Sequence, residues 1–69
     1  MTFEQLQKLK GKLVEKKKSY EDCDEYLGIS VNTFSNKING KTNFNIVECK
    51  ALSEQLEMTS DEFLTIFLF

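Results

Sequence analysis

The stretch LGISVNTFSNKINGK, residues 27–41, sets Asn32, Ser35 and Asn36 three and four residues apart, the spacing that lines side chains along one helix face. Lys37 stands beside them. The stretch holds two lysines and no acid, within a chain of net charge −2. Carboxamides and hydroxyls in such a row offer donors and acceptors together, which is the equipment of hydrogen-bonded recognition. The same row would also make an ordinary solvated helix face, so the neighbouring residues must decide between the two.

Other chemistries are poorly provided for. There is no histidine, which removes the usual general base and the serine and cysteine triads. Catalysis would have to rest on carboxylates and lysines, and the chain reads as a non-enzyme. Zinc wants about four Cys, His or carboxylate ligands. The two cysteines, Cys23 and Cys49, both fall on apolar helix faces, where they read as free, buried thiols. No metal or cofactor is expected.

Sixty-nine residues form one domain, 1–69, near the size at which folding without staples becomes marginal. Hydrophobic residues make up 41% and charged residues 29%, the mix of a soluble globular protein. No run is apolar enough to span a bilayer, and acids and lysines stand where a signal peptide would need an apolar stretch. The expected location is the cytoplasm, with no membrane partner.

The elements that position the polar row can be read from caps and periodicity. Thr2 with Gln5 forms a capping box for a first helix over roughly 3–17, followed by Phe3, Leu6, Lys10, Leu13, Val14 and Lys17 at helical period. Gly11 inside it costs about 1 kcal/mol relative to Ala, which suggests a close approach by another helix. Ser19 with Asp22 opens a short second helix with Tyr20, Cys23, Tyr26 and Leu27 inward. Gly28 fits the left-handed position that ends it. Ser30 caps a third helix, with Phe34 and Ile38 inward and Asn39-Gly40 as the stop.

Asn45 with Glu48 opens a fourth helix, where Phe44 and Cys49 can form a hydrophobic staple and Leu52 and Leu56 continue the face. Thr59 with Glu62 opens a last helix, whose Phe63, Leu64, Ile66 and Phe67 supply core. No strand alternation occurs, and connections of two to six residues are expected. The fold class is all-α, with five compact helices.

The link Gly28-Ile29-Ser30 between two short helices is the signature of a helix-turn-helix. Gly28 reverses the chain, Ile29 plugs the angle, and Ser30 satisfies free N–H groups of the next helix. With Phe34 and Ile38 inward, Val31, Asn32, Ser35 and Asn36 face outward, where a second helix can enter a major groove.

At this point the sequence resembles the Cro/CI-type (XRE) helix-turn-helix family, particularly small Cro-like phage repressors of Gram-positive hosts. The resemblance runs through LKGKLVEK (9–16), LGIS (27–30), TFSNKINGK (33–41), NIVECKALSEQLEM (45–58) and the TSDEF…IFLF ending (59–69), nearly the whole chain. It implies a lambda-repressor-like domain that reads operator DNA with helix three. Val31, Asn32 and Asn36 then match base-reading positions, with Ser35 a further groove contact. Asn pairs bidentately with adenine, and Val31 suits a thymine methyl. Lys37, Lys41, Thr42 and Asn43 match phosphate-gripping positions. Ser19 and Tyr20 open helix two, where the family often places a phosphate-contacting glutamine; Tyr20 departs from that pattern but keeps a hydroxyl.

Charge is distributed in blocks: +4 over residues 1–20, −4 over 21–27, +2 over 28–50 and −4 over 51–69. All nine basic residues are lysine. Without arginine the commonest guanine contact is lost, which points to A·T-rich readout or modest specificity. Lys16-Lys17-Lys18 suits a solvated helix end at the negative pole of the dipole.

Two features run against a DNA reading. Glu21, Asp22, Asp24 and Glu25 lie on helix two, beside the backbone it should approach. Asp24 also stands where the motif usually has a small residue, so it should pair with Lys37 or Thr33, or else the two helices should splay; burying it unpaired would cost several kcal/mol.

Two functions follow. One is a Cro-like transcriptional repressor binding double-stranded operator DNA, with the apolar tail Phe63–Phe69 available for a homodimer. The other is a protein-binding helix-turn-helix module that modulates a partner repressor as an antirepressor.

Overall fold

The computed structural model describes residues 1–68; Phe69, the end of the apolar tail, lies outside them. The described residues form five α-helices and no strand: α1 (Phe3–Glu15), α2 (Tyr20–Leu27), α3 (Val31–Ile38), α4 (Ile46–Gln55) and α5 (Ser60–Phe63), the last continued by a π-helical segment, Leu64–Leu68. The all-α class is thus the observed one. No helix among the described residues is long and apolar enough to cross a membrane.

Caps set nearly every boundary. Reciprocal capping boxes open α1 (Thr2–Gln5), α2 (Ser19–Asp22), α4 (Asn45–Glu48) and α5 (Thr59–Glu62), and the Ser30 hydroxyl accepts from Thr33 N–H at the start of α3. Each cap satisfies N–H groups that no helical carbonyl can reach. The helix ends are equally regular. At α3, Lys41 N–H bonds the Asn36 carbonyl at 2.9 Å and Gly40 N–H bonds that of Lys37 at 3.1 Å, with Gly40 left-handed at φ 82°. The same pattern ends α1 and α4, but with Lys17 (φ 57°) and Glu57 (φ 53°) in the left-handed position.

Leu9, Leu13, Cys23, Phe34, Ile38, Leu52, Leu56 and Ile66 form one buried core. Phe34 is its centre: fully buried, with Tyr20 edge-on at 5.3 Å and Phe44 at 5.7 Å between ring centroids. Met1, Tyr20, Leu27, Ile29, Phe44, Met58 and Phe67 close over it. The radius of gyration is 10.7 Å, near the value of about 11 Å that compact chains of this length adopt.

Several sequence expectations need correction. Helix α1 stops at Glu15, because Lys17 turns left-handed. Phe3 and Val14 are 76% and 78% exposed, since the buried stripe of α1 runs through Leu6, Leu9 and Leu13 and is narrower than the apolar periodicity. Leu64 is exposed, whereas Ile66 two residues on is buried. Gly11 marks no close approach: a Cβ there would meet nothing within 4 Å. The α3–α4 connection, residues 39–45, is longer than expected.

Candidate nucleic-acid interface

The face in question is held by three supports. Gly28 at φ 69° turns the chain at the end of α2, and Ile29 N–H bonds the Asp24 carbonyl at 3.1 Å. Ile29 then packs on the core beneath α3. Phe34 and Ile38, both fully buried, fix the roll of α3 about its axis. The opposite face is therefore outward by geometry.

On that face Val31, Asn32, Thr33 and Asn36 are exposed and Ser35 is half-buried. Asn32 and Asn36 lie one turn apart, so their carboxamides project side by side. Among the described residues neither amide makes an internal hydrogen bond, unlike that of Asn39. Asn39 Nδ2 donates to the Ser35 carbonyl at 2.8 Å and to Ser35 Oγ at 3.3 Å, while its Oδ1 accepts from Lys10 Nζ at 3.1 Å. This Lys10–Asn39–Ser35 chain ties the end of α3 to α1 and partly occupies Ser35. Asn39 reads in the sequence only as a stop signal; its bridging role depends on a residue 29 positions away.

The loop after α3 presents Lys41, Thr42 and Asn43, all exposed. Lys37 does not join them. Its Nζ lies 3.0 Å from Glu48 Oε1 and 3.0 Å from the Asn43 carbonyl, with the side chain only 14% exposed. Lys37 is consequently engaged at the interior edge of the loop, a placement that its position after the polar row does not reveal. The partner, Glu48, is recognisable locally as a capping-box residue but not as an ion-pair partner.

Helix α2 opens on its own capping box. The Ser19 hydroxyl accepts from Asp22 N–H at 3.1 Å, and Ser19 N–H donates to Asp22 Oδ2 at 2.9 Å. That bond holds the Asp22 carboxyl below its ordinary value. An anion of the protein's own thus sits at the helix N-terminus where a phosphate would dock. Tyr20 is half-buried, its ring spent on Phe34.

Asp24 takes neither expected partner. Lys37 is paired with Glu48, and Thr33 Oγ1 lies 2.8 Å from Ser30 Oγ. Asp24 is only half-buried, and among the described residues no buried side-chain polar atom lacks a hydrogen bond. The helices need not splay: the Tyr20–Phe34 contact keeps α2 and α3 together. The buried-charge penalty is avoided by solvent contact.

Compared with known proteins, the chain matches no family model, no curated relative and no solved structure.

Proposed function

We propose that this protein is a sequence-specific DNA-binding regulator of the Cro-like type, docking α3 in the major groove of operator DNA and blocking promoters by occupying them. The observation that carries this reading is the pair Asn32 and Asn36: exposed, one turn apart, uncommitted, and on the second helix of a helix-turn-helix whose roll is set by a buried phenylalanine. Asn suits adenine, Val31 suits the thymine methyl, and no acid interrupts the first turn of α3. Lys41, Thr42 and Asn43 supply the phosphate contacts, with Ser19 a minor contributor beside Asp22. Such proteins commonly bind as dimers on half-sites about 34 Å apart.

The test is an NMR titration with a mixed A·T-rich duplex at about 50 and 200 mM salt. Shifts concentrated at residues 30–43, weakening steeply with salt, are the expected result. The Asn32→Ala, Asn36→Ala double variant should lose sequence-specific binding while keeping its fold; unchanged binding would sink the assignment of α3.

A second reading, an antirepressor that binds a partner repressor, is favoured by a surface groove of about 370 Å³ lined by Ser53, Met58, Thr59, Ser60, Phe63 and Leu64. Residues 51–69 hold four acids and no base, so the matching partner segment is basic and apolar. Shifts confined to 53–64 on adding a basic amphipathic peptide, with none from DNA, would transfer the assignment to this reading.

A further inference from the structure

The seven-residue connection between α3 and α4 contains the three exposed groups best placed to meet a phosphate backbone, and loops of this kind are ordinarily mobile. Here both ends are tied. The Schellman bonds to the Asn36 and Lys37 carbonyls hold Gly40 and Lys41, and the Asn45–Glu48 capping box holds the far end. Between them, the one side-chain bond to the loop backbone among the described residues is that of Lys37 Nζ to the Asn43 carbonyl, at 3.0 Å.

The same ammonium lies 3.0 Å from Glu48 Oε1, which also accepts Asn45 N–H at 2.9 Å. One cation therefore links the last turn of α3, the loop backbone and the N-cap of α4. The Lys37 stem runs beside Phe44, its Nζ 6.0 Å from the ring centroid, and Phe44 packs on Phe34. Core packing thereby fixes the direction from which the cation reaches the loop. Glu48, 8% exposed, has its charge matched at the end of the candidate interface instead of facing incoming phosphates.

We propose that Lys37 is a positioning residue: it clamps the 41–43 loop in its presenting shape, through Asn43 and Glu48, and does not itself contact phosphate. This rests on the DNA-binding reading for its functional consequence, while the clamp can be measured without DNA. A loop ordered in advance avoids the cost of ordering it on binding. A direct phosphate contact by Lys37 would require it to leave both partners.

The experiment compares Lys37→Met, Lys37→Arg and Glu48→Gln with the parent, in the full chain. In the free protein, ¹⁵N relaxation and amide exchange at Lys41, Thr42 and Asn43 should loosen in Lys37→Met and recover in Lys37→Arg, with the amides of α1 and α2 unchanged. Unaltered loop order in Lys37→Met overturns the clamp, whatever DNA does. Against an A·T-rich duplex, Lys37→Met should bind about tenfold more weakly, the scale of a lost preorganisation, with the slope of log affinity against log salt preserved. A slope reduced by about 0.9, the signature of one lost phosphate contact, overturns the positioning role.

Glu48→Gln keeps the capping box, because Gln still accepts from Asn45 N–H. Its Oε1 also still accepts from Lys37 Nζ, so only the charge of the pair is lost. The 41–43 amides should therefore loosen less in Glu48→Gln than in Lys37→Met; loosening in Glu48→Gln with Lys37→Met unaltered would place the hold in Glu48 and overturn the clamp. Absence of binding by the parent protein would remove the DNA reading, and the loop measurements would then decide the clamp alone.

Discussion

The Lys12 ammonium, nearly buried on α1, donates to the carboxylate of Glu62 on α5, fifty residues along the chain, and at 2.8 Å to Glu15 one turn away. This is the polar tie between the first and last helices, lying beside the packing of α1 on the C-terminal segment. Glu62 is shared between that tie and the capping box of α5, where it accepts from Thr59 N–H at 3.0 Å.

A pH dependence follows. The Lys12 hydrogen bond, and after it the Thr59 N–H, hold the Glu62 carboxyl below its ordinary value. A depressed folded-state value stabilises the fold above the ordinary carboxylate value, and that contribution is lost as pH falls through the depressed one. Lys12 is shifted upward, first by Glu15 and then by Glu62, so its contribution persists until strongly alkaline pH. Thermal melts of parent and Glu62→Gln should differ at pH 7, and the gap should close only as pH falls below the ordinary carboxylate range. A gap that stays constant down to pH 2 would show that Glu62 acts through packing instead of charge.

Two glycines should respond oppositely to alanine. Gly11 sits in mid-helix with open space about its Cα, so Gly11→Ala should stabilise by about 1 kcal/mol and raise the melting temperature by roughly 4–8 °C. Gly40 is left-handed, and an added Cβ would stand 3.2 Å from Leu6 Cδ1. Gly40→Ala should therefore destabilise by about 1–2 kcal/mol. Differential scanning calorimetry on the two variants decides both signs.

Glu57 closes α4 in the left-handed region, with its N–H bonding the Glu54 carbonyl at 3.2 Å and Met58 N–H that of Ser53 at 2.9 Å. Glycine adopts this conformation without the Cβ clash, at the expense of a more flexible unfolded chain. Glu57→Gly should gain about 0.5 kcal/mol, visible as a shift of the urea midpoint with an unchanged slope.

The cysteines should be inert while the protein is folded. Cys23 is wholly buried, and burial pushes its thiol up to about 11; burial raises Cys49 as well, with Glu48 adding to it. The thiolate is the reactive form. An aromatic disulfide reagent at pH 8 should titrate both thiols promptly in denaturant and only slowly in buffer, at a rate set by opening of the fold. Prompt reaction of either native thiol would contradict the packing described.

The local part of this architecture was legible residue by residue. Thr2–Gln5, Ser19–Asp22, Asn45–Glu48 and Thr59–Glu62 each close a hydrogen-bonded box within three residues, so the boundary information is confined to a short string. Phe34 and Ile38, one turn apart, likewise declared the inward face of α3 and hence the outward one. Periodicity places Val14 and Leu64 on inward faces, yet both are exposed, because it gives the direction of a face but not how wide a stripe the neighbouring helices cover. Asp24 poses a related question that the sequence leaves open, a buried pair or splayed helices, and the packing answers it by leaving the carboxylate at the edge.

Sequence alone thus determined the five helices, their caps and the outward row Val31, Asn32 and Asn36, because each depends on contacts within about one turn. Only the tertiary structure decided which polar groups are already spent. Lys37 reaches Glu48 across 11 positions, Lys10 reaches Asn39 across 29, and Lys12 reaches Glu62 across 50. A lysine reads the same in a string whether its ammonium meets water, a phosphate or a carboxylate. The choice is made by which helix packs within reach of its four-carbon stem.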